Sequence, residues 1–281
     1  MNANGRVGDW RRRIILGSSI GDDRAPGWLK DAYATFHANV ANERYPCYFG
    51  SQAERNGTLY YSYISGAQID HLPKTLQTFL GVCANISRDK NNLVVFFEPD
   101  PSPATHPQHR AAFWDTLQYL RDHDPTPSSA SNRIDPSDPL WEFPFAGSLF
   151  FVVGISPSYR FRRSRNLGPC MVMVFQPREV FLDGATGKEI SAGARNTIRK
   201  RVQLWDGIQA HPDLSAYGHP GNLEWTQYFI SDDNSRETGR CPLHDGARAG
   251  DGADSREDAR TFERKTELHS SRRAHPRSRR H

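Results

Sequence analysis

Two apolar runs, SLFFVVGIS (148–156) and CMVMVFQP (170–177), carry β-branched and aromatic residues at a density that fits strands buried on both faces. Between them stand Arg160, Arg162, Arg163 and Arg165, four arginines within six positions. Four guanidiniums cannot all be buried unpaired, since each isolated buried charge costs several kcal/mol. Two readings follow. The block is a solvated hairpin edge that blunts strand-to-strand aggregation, or it converges on an anion, where arginine forks grip carboxylates and phosphates.

The remaining elements assemble around these strands. TLYYSYIS (58–65) and NLVVFFEP (92–99) read as further strands, and LEWTQYFIS (223–231) as a last short one. Helical spacing marks 27–42, with Trp28, Ala32, Phe36 and Val40 on one face, then 72–87, 108–123 and the basic stretch 192–209. DPTPSSASNRIDPSDP (124–139) is rich in Pro and Ser, so a long surface loop able to act as a lid. No internal repeat and no regular β-α alternation occur. The expected fold is α+β: a single domain with a central, mostly antiparallel sheet flanked by helices.

Composition sets the boundaries. Residues 1–26 read as an N-terminal extension and 27–245 as the folded domain. From Gly246 to His281 the only large apolar residues are Phe262 and Leu268, too few to offset ordering entropy, so 246–281 reads as a disordered basic tail. The net charge of +4 is too mild to mark a nucleic-acid binder. No run approaches the ~20 apolar residues of a membrane span, and RRRIIL lacks a signal-peptide core. Cys47, Cys83, Cys170 and Cys241 are scattered without a CxxC, which argues against a disulfide framework or a zinc site and for a cytoplasmic location.

Several stretches carry candidate chemistry. GATGKE (184–189) fails as a phosphate loop, having two residues between its glycines and Glu after the lysine. His211-Pro212-Asp213 has the His-x-carboxylate spacing of a non-haem iron site, which would need one more histidine. His106 and His109, in THPQHRAAFW, stand at the entry of an amphipathic helix, facing either a metal or solvent. Cys47, in ERYPCYFG, lies among aromatics, as an inert buried thiol or as an axial thiolate to haem iron.

The ordered set RYPCYFG, LWEFPFAGSLFFVV, SPSYRFRRSRN, MVFQPREVF and NLEWTQYFISDDN, over roughly 28–244, resembles the YqcI/YcgG-like family. The resemblance implies a haem-dependent N-hydroxylase of guanidino compounds. It is nearest to the branch that converts L-arginine to N-omega-hydroxy-L-arginine in D-cycloserine biosynthesis, an antibiotic pathway. It implies haem b in the 27–245 domain, dioxygen or peroxide as oxidant and an unidentified electron donor; the charge and apolar-run lengths already lead to the expectation of no membrane or nucleic-acid partner. The axial ligand is then sought among Cys47, which lies in the shared Tyr-Pro-Cys, His109 and His106. Arg160, Arg163 and Arg165 would pair with haem propionates or the substrate carboxylate. Glu98 and Glu142, with Glu224 third, are the carboxylates to hold the substrate guanidinium. Two rivals remain: a non-haem iron oxygenase built on His211 and Asp213, and a non-enzymatic protein whose arginines grip nucleic acid or another anion.

Overall fold

The computed structural model describes residues 14–21, 25–66, 68–85, 91–182 and 191–244. The first thirteen residues, the GATGKE stretch and the tail from 245 lie outside them. Among the described residues the strands are β1 (Ile15–Leu16), β2 (Leu59–Ile64), β3 (Asn92–Phe97), β4 (Phe143–Phe145), β5 (Ser148–Ile155) and β6 (Val172–Pro177). The helices are α1 (Gly27–Val40), α2 (Tyr48–Arg55), α3 (Leu72–Asn85), α4 (His106–Asp122) and α5 (Ala192–Asp206).

The six strands form one sheet in the order β1-β2-β3-β6-β5-β4. Every neighbouring pair is antiparallel except β2 and β3, which α3 connects as a crossover. The fold is therefore the expected α+β domain. The two apolar runs of the opening argument pair directly, Val152 opposite Phe175 and Gly154 opposite Met173.

Alternation along the strands feeds two cores. Leu93 and Val95 of β3 join Phe150, Val152, Met173 and Phe175 on the face covered by α3 and α4, with Phe79, Phe113 and Leu117 among the covering residues. Val94 and Phe96 join Tyr61 and Val172 on the face covered by α1, through Leu29, Ala32, Phe36 and Val40. Each fully buried side chain of this size contributes about 2 kcal/mol.

The segment 223–231 departs from expectation. It is no strand: Glu224–Gln227 make a 3-10 turn, and all of Leu223's followers to Ile230 are buried. A continuous apolar run reports burial but not backbone conformation. The segment lies against β5, where Gly154 N–H donates to the Tyr228 carbonyl at 2.8 Å. Gly154 permits this approach, since a Cβ there would stand 2.4 Å from a Phe229 ring carbon. No helix among the described residues is long and apolar enough to cross a membrane.

Candidate functional site

α4 begins at THPQ, where Gln108 Oε1 accepts the Thr105 N–H at 2.8 Å and Pro107 lies in the first turn. This start fixes His106 and His109 on one face. The His106 ring packs edge-on against Tyr159 and tilted on Phe229, with centroids 4.6 and 5.1 Å away. Its Nδ1 lies 3.2 Å from Ser158 Oγ, which lies 2.7 Å from Ser156 Oγ. Its buried Nε2 makes no close hydrogen bond, nor do His109 Nδ1, Arg110 Nε and Trp114 Nε1, although the Ile230 carbonyl lies within reach of the His106 ring and the Thr105 carbonyl within reach of the His109 ring. Seven buried side-chain polar atoms lack a close hydrogen bond among the described residues, and these four lie along one stripe of α4. Buried polar atoms are normally satisfied, so such a stripe marks where a ligand would be met. Burial lowers both imidazole pKa values, against the pull of the Ile230 carbonyl on His106 and the Thr105 carbonyl on His109, and so favours the neutral rings.

A second cluster is carboxylate-rich. Glu142 follows Trp141 at the entry to β4 and is fully buried. Its Oε1 accepts from Arg178 Nη1 at 3.2 Å, while its Oε2 is buried without a partner. Burial pushes its pKa up to about 7, against the pull of Arg178. Glu224, on the 3-10 turn, is also buried, and its Oε1 accepts from Asn222 Nδ2 at 2.6 Å. Burial and the Glu142 charge raise it to about 8. The Arg178 guanidinium stacks over the Tyr217 ring at 3.6 Å. Two buried carboxylates thus meet one arginine, within walls that include Trp141, Trp225 and Tyr228.

The arginine block divides. Arg162 is fully buried, and its guanidinium donates to the Ser231 carbonyl (2.8 Å), the Asp233 carbonyl (2.6 Å) and Asn234 Oδ1 (2.6 Å). Arg165 donates to the carbonyls of Gly154, Tyr228 and Gln227 at 3.1–3.2 Å. Arg160 and Arg163 are exposed; Arg163 donates to the Trp205 carbonyl. Cys47 caps α2, its Sγ accepting the Gly50 N–H at 3.3 Å. Burial raises its thiol pKa, and the Gly50 and Phe49 N–H groups, then Arg165 and Arg201, pull it back.

Other sequence candidates stand apart. Glu98 is exposed, and its Oε2 accepts the Gly66 N–H at 2.9 Å. His211 has both ring nitrogens engaged: Nε2 with Ser231 Oγ and the Ser235 carbonyl, Nδ1 with the Asp213 N–H. Asp213 in turn accepts from Arg236 and from the Glu237 N–H. No group of three His, Cys, Asp or Glu suited to a metal ion occurs among the described residues. Ser158, Arg178 and Asn222 lie within the stretches that carry the family resemblance, but nothing in the sequence assigned them or Tyr217 to these clusters.

A profile of the YqcI/YcgG family matches residues 36–244. A Streptomyces lavendulae protein, provisionally named N(omega)-hydroxy-L-arginine synthase DcsA, is 32% identical over 82% of this chain and 89% of its own. The uncharacterized proteins YqcI and YcgG of Bacillus subtilis (strain 168) are 29% and 30% identical, over 78% and 79% of this chain and 88% and 90% of theirs. No solved structure matches.

Proposed function

This chain belongs to the YqcI/YcgG family, and from that premise we propose that it is a haem-dependent monooxygenase that N-hydroxylates the guanidino group of L-arginine. The observation that carries the reading is the Glu142–Glu224 pair. When both are ionised, two buried carboxylates with one arginine nearby, and one buried carboxylate oxygen without a close hydrogen bond, are short of one cation with N–H donors; without it a proton takes that place. A guanidinium supplies both, and its fork geometry fixes which nitrogen faces the reacting centre. The similarity to a protein named for hydroxyarginine synthesis supports the same substrate.

The α4 stripe is where a haem would find a nitrogen ligand for its iron. His106 has a buried Nε2 with no close hydrogen bond while its Nδ1 meets Ser158 Oγ, an arrangement that would orient a ligating imidazole once Nε2 turns from the nearby Ile230 carbonyl. His109 has a second nitrogen with no close hydrogen bond. Cys47 ranks below them, because its sulfur already accepts an N–H and its thiol is raised by burial. Haem b, when bound, supplies iron that activates dioxygen or peroxide for insertion into an N–H bond. The protein's own part is positional. His106 presents its lone pair, Arg178 holds Glu142 through Oε1 and leaves Oε2 for the substrate, and Glu224 takes a second N–H. Trp141, Trp225 and Tyr228, all buried, exclude water and so strengthen these charge pairs.

The rivals find less support. His211 and Asp213 have their donor atoms engaged within the protein, and Arg162 and Arg165 point into backbone carbonyls rather than toward a nucleic-acid surface. The test is a purification with haem precursor, followed by incubation with L-arginine and either peroxide or a reducing system. A Soret band, protohaem in the pyridine hemochrome and N-omega-hydroxy-L-arginine by mass spectrometry are expected. Folded protein that binds no haem, or haem protein that leaves arginine untouched under both conditions, refutes the proposal.

A further inference from the structure

Hydroxylation by dioxygen turns one N–H into N–OH, releases the second oxygen atom as water, and consumes two electrons and two protons. The electrons must come from a carrier. We propose that the solvent face of α5, with the turns that meet it, docks an acidic one-electron carrier protein. The inference rests on the monooxygenase reading.

α5 is a poorly covered helix: of its fifteen residues only Asp206 is buried. Its cations Arg199, Lys200 and Arg201 are consecutive, and the acid within the helix, Asp206, is engaged by Ser164 N–H and Oγ. Arg199 donates to the Leu214 carbonyl, Arg201 to the carbonyls of Glu43 and Tyr45, and Arg163 to that of Trp205. Neutral carbonyls orient these guanidiniums without cancelling their charge. Among the described residues, the nearby anions are already engaged: Glu43 lies 3.6 Å from Arg55, Asp213 pairs with Arg236, and Asp232 accepts the N–H groups of Arg160, Phe161 and Arg162. Among the described residues, Arg163, Arg199, Lys200 and Arg201 thus give this face a positive character.

Apolar residues are exposed in the same region. Leu204 on α5 is 83% exposed, Phe161 stands two residues before Arg163, and Tyr48 stands three after Tyr45. These are three of the four large apolar side chains exposed among the described residues. Exposed aromatic and aliphatic groups interleaved with arginine characterise protein interfaces, and a few cations with apolar contacts suit an acidic protein better than a phosphate backbone.

The face also has a short route inward. The Arg163–Arg165 turn packs on α5. The Arg165 carbonyl accepts the Ser156 N–H at 2.9 Å, Ser156 Oγ meets Ser158 Oγ, and Ser158 Oγ meets His106 Nδ1. A carrier docked on α5 thus stands a few hydrogen bonds from the proposed iron ligand.

The experiment titrates the haem-loaded full chain with an oxidised plant-type [2Fe–2S] ferredoxin by calorimetry, so that no turnover is needed. Binding should weaken steeply with salt and at least tenfold in a K200E/L204E variant, while K200R/L204M binds as the parent does. Reduction of the haem by dithionite should be equal in all three. The inference is overturned if the charge-reversed variant binds ferredoxin like the parent, or if a single-stranded RNA is bound in preference to ferredoxin. Full hydroxylation with peroxide but no ferredoxin binding also overturns it and leaves the hydroxylase reading intact. Ferredoxin binding through this face without arginine hydroxylation under any oxidant supports the docking surface and sinks the hydroxylase reading.

Discussion

Glu224→Gln separates stability from function at the carboxylate pair. Burial and the Glu142 charge raise Glu224 from 4.5 to about 8. Without a ligand the native state therefore keeps a proton that the unfolded chain loses above about pH 4.5. The native state binds more protons across that window, so this contribution to stability is full below the unfolded pKa and is lost as pH rises toward 8. At 1.36 kcal/mol per unit, the linkage relation gives a loss of about 3 to 4 kcal/mol between pH 5 and pH 8. The glutamine isostere keeps an oxygen for Asn222 Nδ2 and cannot ionise. Urea denaturation of ligand-free protein should show the variant close to the parent at pH 5 and more stable by about 3 kcal/mol at pH 8. Calorimetry with L-arginine should show the reverse cost. Loss of one charge-assisted pair weakens binding by about 1.5–3 kcal/mol, ~10- to 100-fold. Parent binding should strengthen from pH 6 to pH 8 and release protons, and citrulline, which lacks the cation, should bind weakly. Equal pH slopes of stability in parent and variant would show that Glu224 is already ionised in the free protein, and the guanidinium argument would fall with it.

Three further outcomes follow from single contacts. His106→Ala should lose most of its haem while Cys47→Ala retains it, with a ferrous CO band near ~420 nm rather than ~450 nm; the opposite pattern would move the ligand to Cys47. Gly154→Ala should cost about 1–3 kcal/mol in urea denaturation, because the new Cβ meets Phe229 at 2.4 Å and Phe113 at 3.0 Å; a neutral result would mean that the 223–231 segment shifts freely. Arg162→Lys should cost about 2–3 kcal/mol, since an ammonium cannot span Ser231, Asp233 and Asn234 together, and unchanged stability would show that those acceptors find other donors.

The fold was legible where periodicity and burial coincide. β3, β5 and β6 announce themselves by apolar runs, and α1, α3, α4 and α5 by spacing that matches the helices found. What escaped was short or irregular. β1 and β4 have two and three residues, too few to show a period. The 223–231 segment is apolar because it is buried, and nothing local distinguishes it from a strand. At the site, Glu142 and Glu224 were suggested by neighbouring tryptophans, and His106 by its helix entry. Their partners Ser158, Arg178 and Tyr217 are distant in sequence and acquire meaning only through the fold, whereas Asn222 stands two residues before Glu224.

The arginine block has a physical cause in that same irregular segment. A buried chain without regular structure leaves carbonyls that no ladder satisfies. Arg162 and Arg165 supply donors to Ser231, Asp233, Gly154, Tyr228 and Gln227. They thereby hold the stretch that delivers Glu224 to the carboxylate pair and Phe229 to the His106 ring. An arginine can thus govern haem or substrate binding without touching either. Arg165→Lys is the case to examine. If Arg165 acts through the backbone, stability falls together with haem content and arginine affinity, because the lysine leaves at least one carbonyl unpaired at about 1–3 kcal/mol. If it grips a propionate or the substrate carboxylate directly, binding falls while the urea midpoint holds. The carbonyl contacts favour the first outcome, and an unchanged midpoint with lost binding would reject it.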